Sequence, residues 1–408
     1  MTNNQISKIN IYLYITLSFT LLLGLYFGED SSGNGGFIGD FKGTLSLVKD
    51  PLNYSTIVDF KFPLHYYLTG TIYYFSKSEL ILRIIYCCVS LITPYIFFMC
   101  LREKFKSVNK NNLFLFSLII FILPSFRSGA IWPNTQVTAL IFFLASLYNF
   151  VKWQNLNNFK IINHSLLYSI FFMSMAVYSR QLYALIFLYY VYVFFLNYNF
   201  KKFVQVSLLI FLLAVPGIYF AFNNPNIAAV TFNSSLYNSI LVNSSIISFY
   251  LIPFFTILFM DKKLSINFKN KNNIYISIFS LAIVIILSNS FNYNYRMGGG
   301  YFIKLSILLF DNLYFFYLSS VIGLICIFSF MKKNVLILCL LIFGFSSWLI
   351  FQKYFEPMFL ILLFLIFQTS LTRKFLESKK NIMIYLLFIG IYFLSALINN
   401  IFKITGTI

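Results

Sequence analysis

Residues 9–40, INIYLYITLSFTLLLGLYFGEDSSGNGGFIGD, decide how the chain is read. The run from Ile9 to Phe27 carries no charge and is long enough to cross a hydrocarbon layer of about 30 Å as one helix. It is too long for the apolar core of a signal peptide and lacks a small-residue cleavage site before Gly28, so it is expected to remain as a first transmembrane helix. Glu29 and Asp30 follow at once, then a serine- and glycine-rich turn, then a third acid, Asp40.

The same apolar texture continues through all 408 residues. Hydrophobic residues make up 60%, aromatic residues 21% and charged residues 10%, with a mean hydropathy of +0.81. Soluble domains carry about 25% charged residues, so a soluble globular chain is excluded, together with disorder, collagen, coiled coil and a secreted disulfide scaffold. Apolar runs fall near 9–27, 80–101, 112–126, 135–151, 165–179, 182–199, 203–222, 246–260, 273–289, 313–331, 334–350, 355–371 and 382–399. They predict an all-α, polytopic integral membrane protein of about 11–13 transmembrane helices, folded as a single transmembrane domain over 1–408. Cys87, Cys88, Cys100, Cys326 and Cys339 all fall inside apolar runs, and no CxxC or Cys/His spacing supports zinc.

The net charge of +19 has its meaning in its distribution. With the N-terminus in the cytoplasm, nineteen of the 30 basic residues fall on that side: Lys8, Arg102, Lys104, Lys106, Lys110, Lys152, Lys160, Lys201, Lys202, Lys262, Lys263, Lys269, Lys271, Lys332, Lys333, Arg373, Lys374, Lys379 and Lys380. The positive-inside rule therefore predicts a cytoplasmic N-terminus, and the basic excess requires no nucleic acid.

The first outer loop, residues 28–79, holds six of the 11 acids: Glu29, Asp30, Asp40, Asp50, Asp59 and Glu79. A loop of this length in a compact protein usually carries function. Within it Phe37, Ile38, Phe41, Leu45 and Val48 recur at helical spacing, with Asp40 and Thr44 on another face, and Phe62 to Phe75 forms a second aromatic-rich segment. Both are too short to span and are expected to be amphipathic helices at the outer interface, with Gly33, Gly35 and Gly36 turning the chain ahead of the first.

Carboxylates beside a bilayer are costly unless paired or solvated. Glu29, Asp30 and Asp40 can act as a general base for an acceptor hydroxyl or hold a divalent cation; equally, Glu29 and Asp30 can end the first helix at the headgroups and Asp40 can cap a surface helix. Arg127, in the short outward turn RSGAIWPNTQ, can bind a lipid phosphate or anchor the interface beside Trp132. Arg180, in VYSRQLYA between two apolar runs, must face a polar cavity, a phosphate or a carboxylate. The segment NYNYRMGGGYFIK offers Arg296, three glycines and Lys304, either as a weak phosphate-approaching loop or as a flexible outer loop. QKYFEP places Lys353 and Glu356 one turn apart, where Lys353 can meet a phosphate with Glu356 orienting it, or snorkel beside a local partner. His65 and His164 lie in different regions and form no dyad or metal pair. No GxxxxGK[ST], Rossmann, GxSxG or HExxH signature is present. Carboxylates within spans are nearly absent, with Asp311 near a span end the one candidate, which leans away from an ion-coupled carrier.

One helix, a long acidic outer loop and a second interfacial segment opening with KFPLHYYL together resemble the polytopic glycosyltransferases of the GT-C superfamily. FPLHYYL is similar to the PPLYYYL type of segment in bacterial mannosyl-, arabinosyl- and rhizobial lipopolysaccharide-type transferases, followed by Leu82-Arg83 at the entry to the next span. FRSGAIWPNTQVTALIFFLASLY and YSRQLYALIFLYY also look like segments of that group. Motif similarity covers about residues 28–190 and 352–357, with the architecture extending over most of the chain. The chain departs from many members in having Phe62 at the first proline and no sizeable soluble C-terminal domain.

The resemblance implies transfer of a sugar from a polyprenyl-phosphate donor to a hydroxyl on a lipid, glycan or protein at the extracytoplasmic face of a bacterial inner (plasma) membrane. It implies Asp40 as first choice for the base, with Asp30 and Glu29 second. Arg180, Lys353, Arg127 and Arg296, in that order, are the cations for the lipid phosphate, and His65, Tyr66, Gln181 and Glu356 are expected to position substrate. A divalent cation is possible and no other cofactor is implied. A polysaccharide polymerase, or a flippase or transporter for lipid-linked glycans, would also need outward polar residues and cavity arginines.

Overall fold

The computed structural model describes residues 6–32, 35–51, 62–156, 162–223, 236–262, 271–294, 298–330, 334–343 and 350–404. The protein is all-α, with no strand among the described residues. The chain divides into two compact units, one formed by Met1–Ile227 with Leu386–Ile408 and the other by Ala228–Tyr385.

The first unit opens with α1 (Lys8–Phe27), whose start is capped by the Ser7 hydroxyl on the Asn10 N–H. It ends where Gly28 enters the left-handed region at φ 67°, a conformation glycine adopts without Cβ strain, and the Glu29 N–H returns to Gly24 O at 2.8 Å. The first loop then forms a π-helical turn (Gly35–Phe41), a 3-10 turn (Lys42–Thr44) and α2 (Leu45–Lys49). The second short helix, α3, runs Leu64–Ser76. Both expected short helices are present, but the face of the first differs from the expectation. Phe41, Thr44, Leu47 and Val48 are buried while Ile38 is 58% exposed. The wide π turn followed by the tight 3-10 turn shifts the helical phase, so Thr44 points inward and its hydroxyl donates to Asp40 O at 2.6 Å.

Next come α4 (Glu79–Ser90) and α5 (Ile92–Lys104), which together form one span. The expected span over 112–126 is instead broken. α6 (Lys110–Ser117) tightens into a 3-10 turn to Ile122, and α7 (Pro124–Ile131) leaves at 65° to it. Pro124 drives the residue before it out of the helical region, and Leu123 sits at ψ 122°, while proline itself is favoured in the first turn of α7. The segment read as a short outward turn thus begins as a buried helix. α8 (Thr135–Asn155), α9 (His164–Ser179), α10 (Tyr183–Asn197) and α11 (Phe200–Asn223) follow. The core of this unit lies between α5, α8, α9 and α10: Phe97, Phe143, Leu144 and Leu147 are fully buried, Phe150 stacks on Tyr190 at 3.9 Å, and Trp153 Nε1 donates to Tyr198 Oη at 3.0 Å.

In the second unit α12 (Leu236–Met260) packs along α15 (Tyr314–Phe330) through small residues. A Cβ on Gly323 would overlap Ser244 O, and the Ser245 and Ser319 hydroxyls meet at 2.7 Å, the close approach that small residues allow in apolar surroundings. Between them lie α13 (Lys271–Ser288) and α14 (Gly300–Phe310), the latter a helix in a stretch that reads as an outer loop. α16 (Val335–Phe343), α17 (Met358–Leu365) and α18 (Ser370–Leu376) complete the unit, and α19 (Lys379–Ile404) ends the chain. The apolar run at 355–371 is also broken, with α17 and α18 bent by 103°. Asn334 Oδ1 accepts the Gln368 N–H at 2.8 Å in that bend, and the Thr369 hydroxyl caps α18.

Six helices among the described residues are long and apolar enough to cross a membrane: Lys8–Phe27, Glu79–Lys104, Thr135–Asn155, Phe200–Asn223, Leu236–Met260 and Lys379–Ile398. The two bent pairs raise the number to eight if each is one span, and four shorter apolar helices accompany them. Along α11 Phe211, Leu212 and Tyr219 are 58–71% exposed. Whole helices with large apolar side chains turned outward call for an apolar surrounding.

Candidate active site

At one end of the first unit the chain gathers the C-terminus of α1, the first loop, the starts of α3 and α4, all of α7 and the start of α8. Arg127 of α7 lies there fully inside. Its Nε donates to Glu29 Oε1 at 2.7 Å, one Nη to the Thr20 hydroxyl at 3.2 Å and to Phe121 O at 3.4 Å, and the other to Glu29 Oε2 at 2.6 Å and Thr20 O at 3.0 Å. All five N–H groups are therefore engaged, and the guanidinium also lies over the Phe393 ring at 4.9 Å. The expectation that Arg127 holds a phosphate does not fit this geometry: its planar fork is matched by Glu29. Glu29, expected as a second-choice base, is by the same token its counter-ion.

Asp30, 3% exposed, accepts four hydrogen bonds: from the Ser32 N–H and hydroxyl at 3.0 and 2.6 Å, the Ser128 hydroxyl at 2.7 Å and the Phe37 N–H at 2.8 Å. It ties the start of the first loop to α7. Trp132 closes the same corner. Its indole donates to Glu29 O at 2.9 Å, Phe37 and Phe41 lie against its ring at 4.4 and 5.8 Å, and the Arg83 guanidinium covers it at 3.6 Å.

Asp40 is placed differently. It is half-buried in the last turn of the π-helical stretch, and Asn134 Nδ2 lies 3.5 Å from its Oδ2. Asn134 is held from the other side, because its Oδ1 caps α8 by accepting the Gln136 and Val137 N–H groups. Behind it a buried chain of polar contacts runs from Asn134 O to Tyr86 Oη (2.7 Å), to Thr138 Oγ1 (2.8 Å), to His65 Nδ1 (2.8 Å). His65 and Tyr66 are each 1% exposed. These two expected substrate-positioning residues thus face the helices, and His65 belongs to the scaffold behind Asn134. Asn134, Tyr86, Thr138 and Arg83 of this corner carry no catalytic motif in the sequence. Asn134 alone has a local signal, since Pro-Asn-Thr before an apolar run marks a helix N-cap.

Arg180 and Gln181 lie in the break between α9 and α10, both half-buried, with Arg180 in extended conformation at φ −157° and its N–H on Ala176 O at 2.9 Å. Two residues earlier the Tyr178 hydroxyl donates to Leu213 O and accepts the Gly217 N–H at 3.1 Å, and Phe62 meets the Tyr178 ring edge-on at 6.0 Å. Arg180 thereby sits at the end of the unit where α3 begins. Beside the last turn of α3 Lys49 lies over the Tyr73 ring at 5.8 Å and pairs with Glu79 at 3.0 Å, and the carboxylate raises the ammonium pKa above its ordinary value.

In the second unit the glycine run and QKYFEP come together. Gly299 N–H donates to Ile350 O at 2.8 Å, the Tyr293 hydroxyl bridges Ile350 O and N at 3.1 and 2.7 Å, and Gln352 Oε1 accepts the Tyr301 N–H at 2.7 Å. Gly299 and Gly300 take positive φ of 89° and 80°, and a Cβ on Gly300 would press on Ile246 at 2.6 Å. The glycines thus serve close packing and a left-handed turn. Lys353 lies over the Phe351 ring at 5.3 Å, and Glu356 is 4% exposed. Arg296 lies outside the described residues, as do Gly33 and Asp59. No group of three or more His, Cys, Asp or Glu among the described residues is arranged to hold a metal ion.

Fold and composition define an all-α polytopic membrane protein. No protein family, curated protein or solved structure matches the chain.

Proposed function

We propose that the protein is a membrane glycosyltransferase that moves a sugar from a polyprenyl-phosphate carrier to a hydroxyl of a lipid, glycan or protein at the extracytoplasmic face. The observation that carries this reading is the division of labour among the three first-loop acids. Glu29 neutralises Arg127 and Asp30 holds the loop, while Asp40 stands half-buried against an amide that is itself locked by a helix cap.

In this reading Asp40 accepts the proton of the acceptor hydroxyl as its oxygen bonds to the anomeric carbon. The bond from that carbon to the carrier phosphate breaks, and the carrier leaves as a polyprenyl phosphate. Asn134 fixes the carboxylate. Arg180, in the same unit as Asp40, is the candidate for balancing the charge on the departing phosphate. The resemblance of the 28–190 region to GT-C transferases and the near absence of carboxylates in the spans support an enzyme over a carrier.

The test is transfer in detergent or proteoliposomes from a polyprenyl-phosphate sugar. Asp40→Asn is expected to lower the rate by about 10²–10⁴-fold with donor binding retained. Normal transfer by that variant would show that Asp40 is not the base. The glycans of a deletion strain separate the alternatives: a missing sugar fits the transferase, shortened polymer a polymerase, and undisplayed but complete glycan a flippase.

A further inference from the structure

The other end of the first unit carries a second polar site, independent of the proposed transferase centre. Where α5 ends, α6 begins and α8 runs past, a cavity of about 390 Å³ is lined in part by Met99, Arg102, Glu103, Lys106, Lys110 and Tyr148. Pockets for small ligands occupy about 300–1,000 Å³. Its walls are built rather than loose. Phe105 and Val108 of the connecting turn are buried, Asn155 Nδ2 holds Glu103 O at 2.9 Å, and Asn109 Oδ1 caps α6 on the Asn111 N–H at 2.8 Å.

The charge of this cavity is positive. Glu103 is balanced within the wall, its Oε1 meeting Lys106 Nζ at 3.1 Å and Asn155 Nδ2 at 2.8 Å. Arg102 is exposed and makes no ion pair with any described residue, and Lys110 adds a further cation. An anion is the complement of such a wall.

The outer face of α4 and α5 says what kind of anion. Ile85, Val89, Ile92 and Tyr95 are 39–51% exposed. They follow one another at intervals of three or four residues, and the same line continues through Met99 to Arg102 in the cavity. An apolar stripe on a membrane span that ends at a cationic cavity fits a molecule with an acyl chain on one side and a phosphate on the other. A free phosphate would use only the cavity, and a zwitterionic headgroup would bring its ammonium against Arg102. We propose that this corner binds the phosphate headgroup of an anionic glycerophospholipid, with an acyl chain along the Ile85–Tyr95 face.

Native mass spectrometry of the full-length protein, offered phosphatidylglycerol, phosphatidylcholine or inorganic phosphate, tests this. The wild type is expected to bind phosphatidylglycerol about ten-fold more tightly than phosphatidylcholine, and R102Q/K110Q to lose about ten-fold of that binding. K201Q/K202Q, which removes the same charge from the start of α11, is expected to bind as the wild type does. The proposal is overturned if the wild type does not distinguish the two lipids, if R102Q/K110Q keeps its binding, if K201Q/K202Q loses as much, or if inorganic phosphate binds and displaces the lipid. Should R102Q/K110Q fail to fold, the comparison of lipids on the wild type decides.

Discussion

Glu29, Asp30 and Asp40 lie within twelve residues of one another, and their surroundings give them different work. Glu29 and Arg127 form a buried pair with side chains 12% and 4% exposed. Removing one partner of such a pair leaves an uncompensated charge and costs about 3–5 kcal/mol, whereas replacing both by apolar residues is often neutral. Glu29→Gln is therefore expected to lower the melting temperature in detergent well below that of a Glu29→Leu/Arg127→Met double variant. A double variant no more stable than the single one would show that the pair is not the source. None of this pairing was legible from sequence. Arg127 and Glu29 are 98 positions apart, and composition alone leaves an arginine near a membrane surface open to phosphate, headgroup or carboxylate. The carboxylate wins because α7 turns the guanidinium inward, where only a partner within hydrogen-bonding reach can offset its desolvation.

At the scale of elements, the cap of α8 links local structure to chemistry. Asn134 uses its oxygen for the helix and its amide for Asp40. Asp is as good a cap as Asn, so Asn134→Asp is expected to keep the helix and its stability. It also places a second carboxylate beside Asp40, and a like charge disfavours ionisation. Protonated Asp40 cannot act as a base, so the acid limb of the pH–rate profile should move to higher pH in this variant. An unmoved limb would separate Asn134 from the base. Packing of α7 on this cap depends on Gly129, where a Cβ would lie 2.8 Å from the Asn134 side chain. Gly129→Val is expected to cost about 1–3 kcal/mol by overpacking and to lower the transfer rate, read from a thermal melt and kcat together. Apolar runs revealed most helices here, because length and charge-free composition carry that signal. The phase of the first-loop helix and the bends at Pro124 and Gln368 escape it. A π turn shifts every later side chain, and a bend stabilised by a distant Asn334 has no local signature.

At the scale of the molecule, the first unit separates its charges. Glu29, Asp30 and Asp40 of the first loop lie at one end, and Lys8, Arg102, Lys106 and Lys110 lie at the other, where the Ser7 N–H meets Asn111 Oδ1 at 2.7 Å. Segregation of this kind is what an orientation with the basic end in the cytoplasm requires. A membrane-impermeant maleimide is expected to label Ile38→Cys in intact cells and Lys106→Cys only after permeabilisation; the reverse pattern would invert the topology. Sequence arithmetic separates these two groups of charges because each lies beside a span terminus, whereas the number of spans is blurred by runs that the fold breaks. The ion pair across the first unit also sets an order of assembly. Glu29 is synthesised 98 residues before Arg127, which at about 5–20 residues per second is a delay on the order of ten seconds. Through that interval the first helix stands with its C-terminal end unlatched until α7 arrives, so a slowdown of translation between them prolongs the stage at which the Glu29 carboxylate waits for its counter-ion.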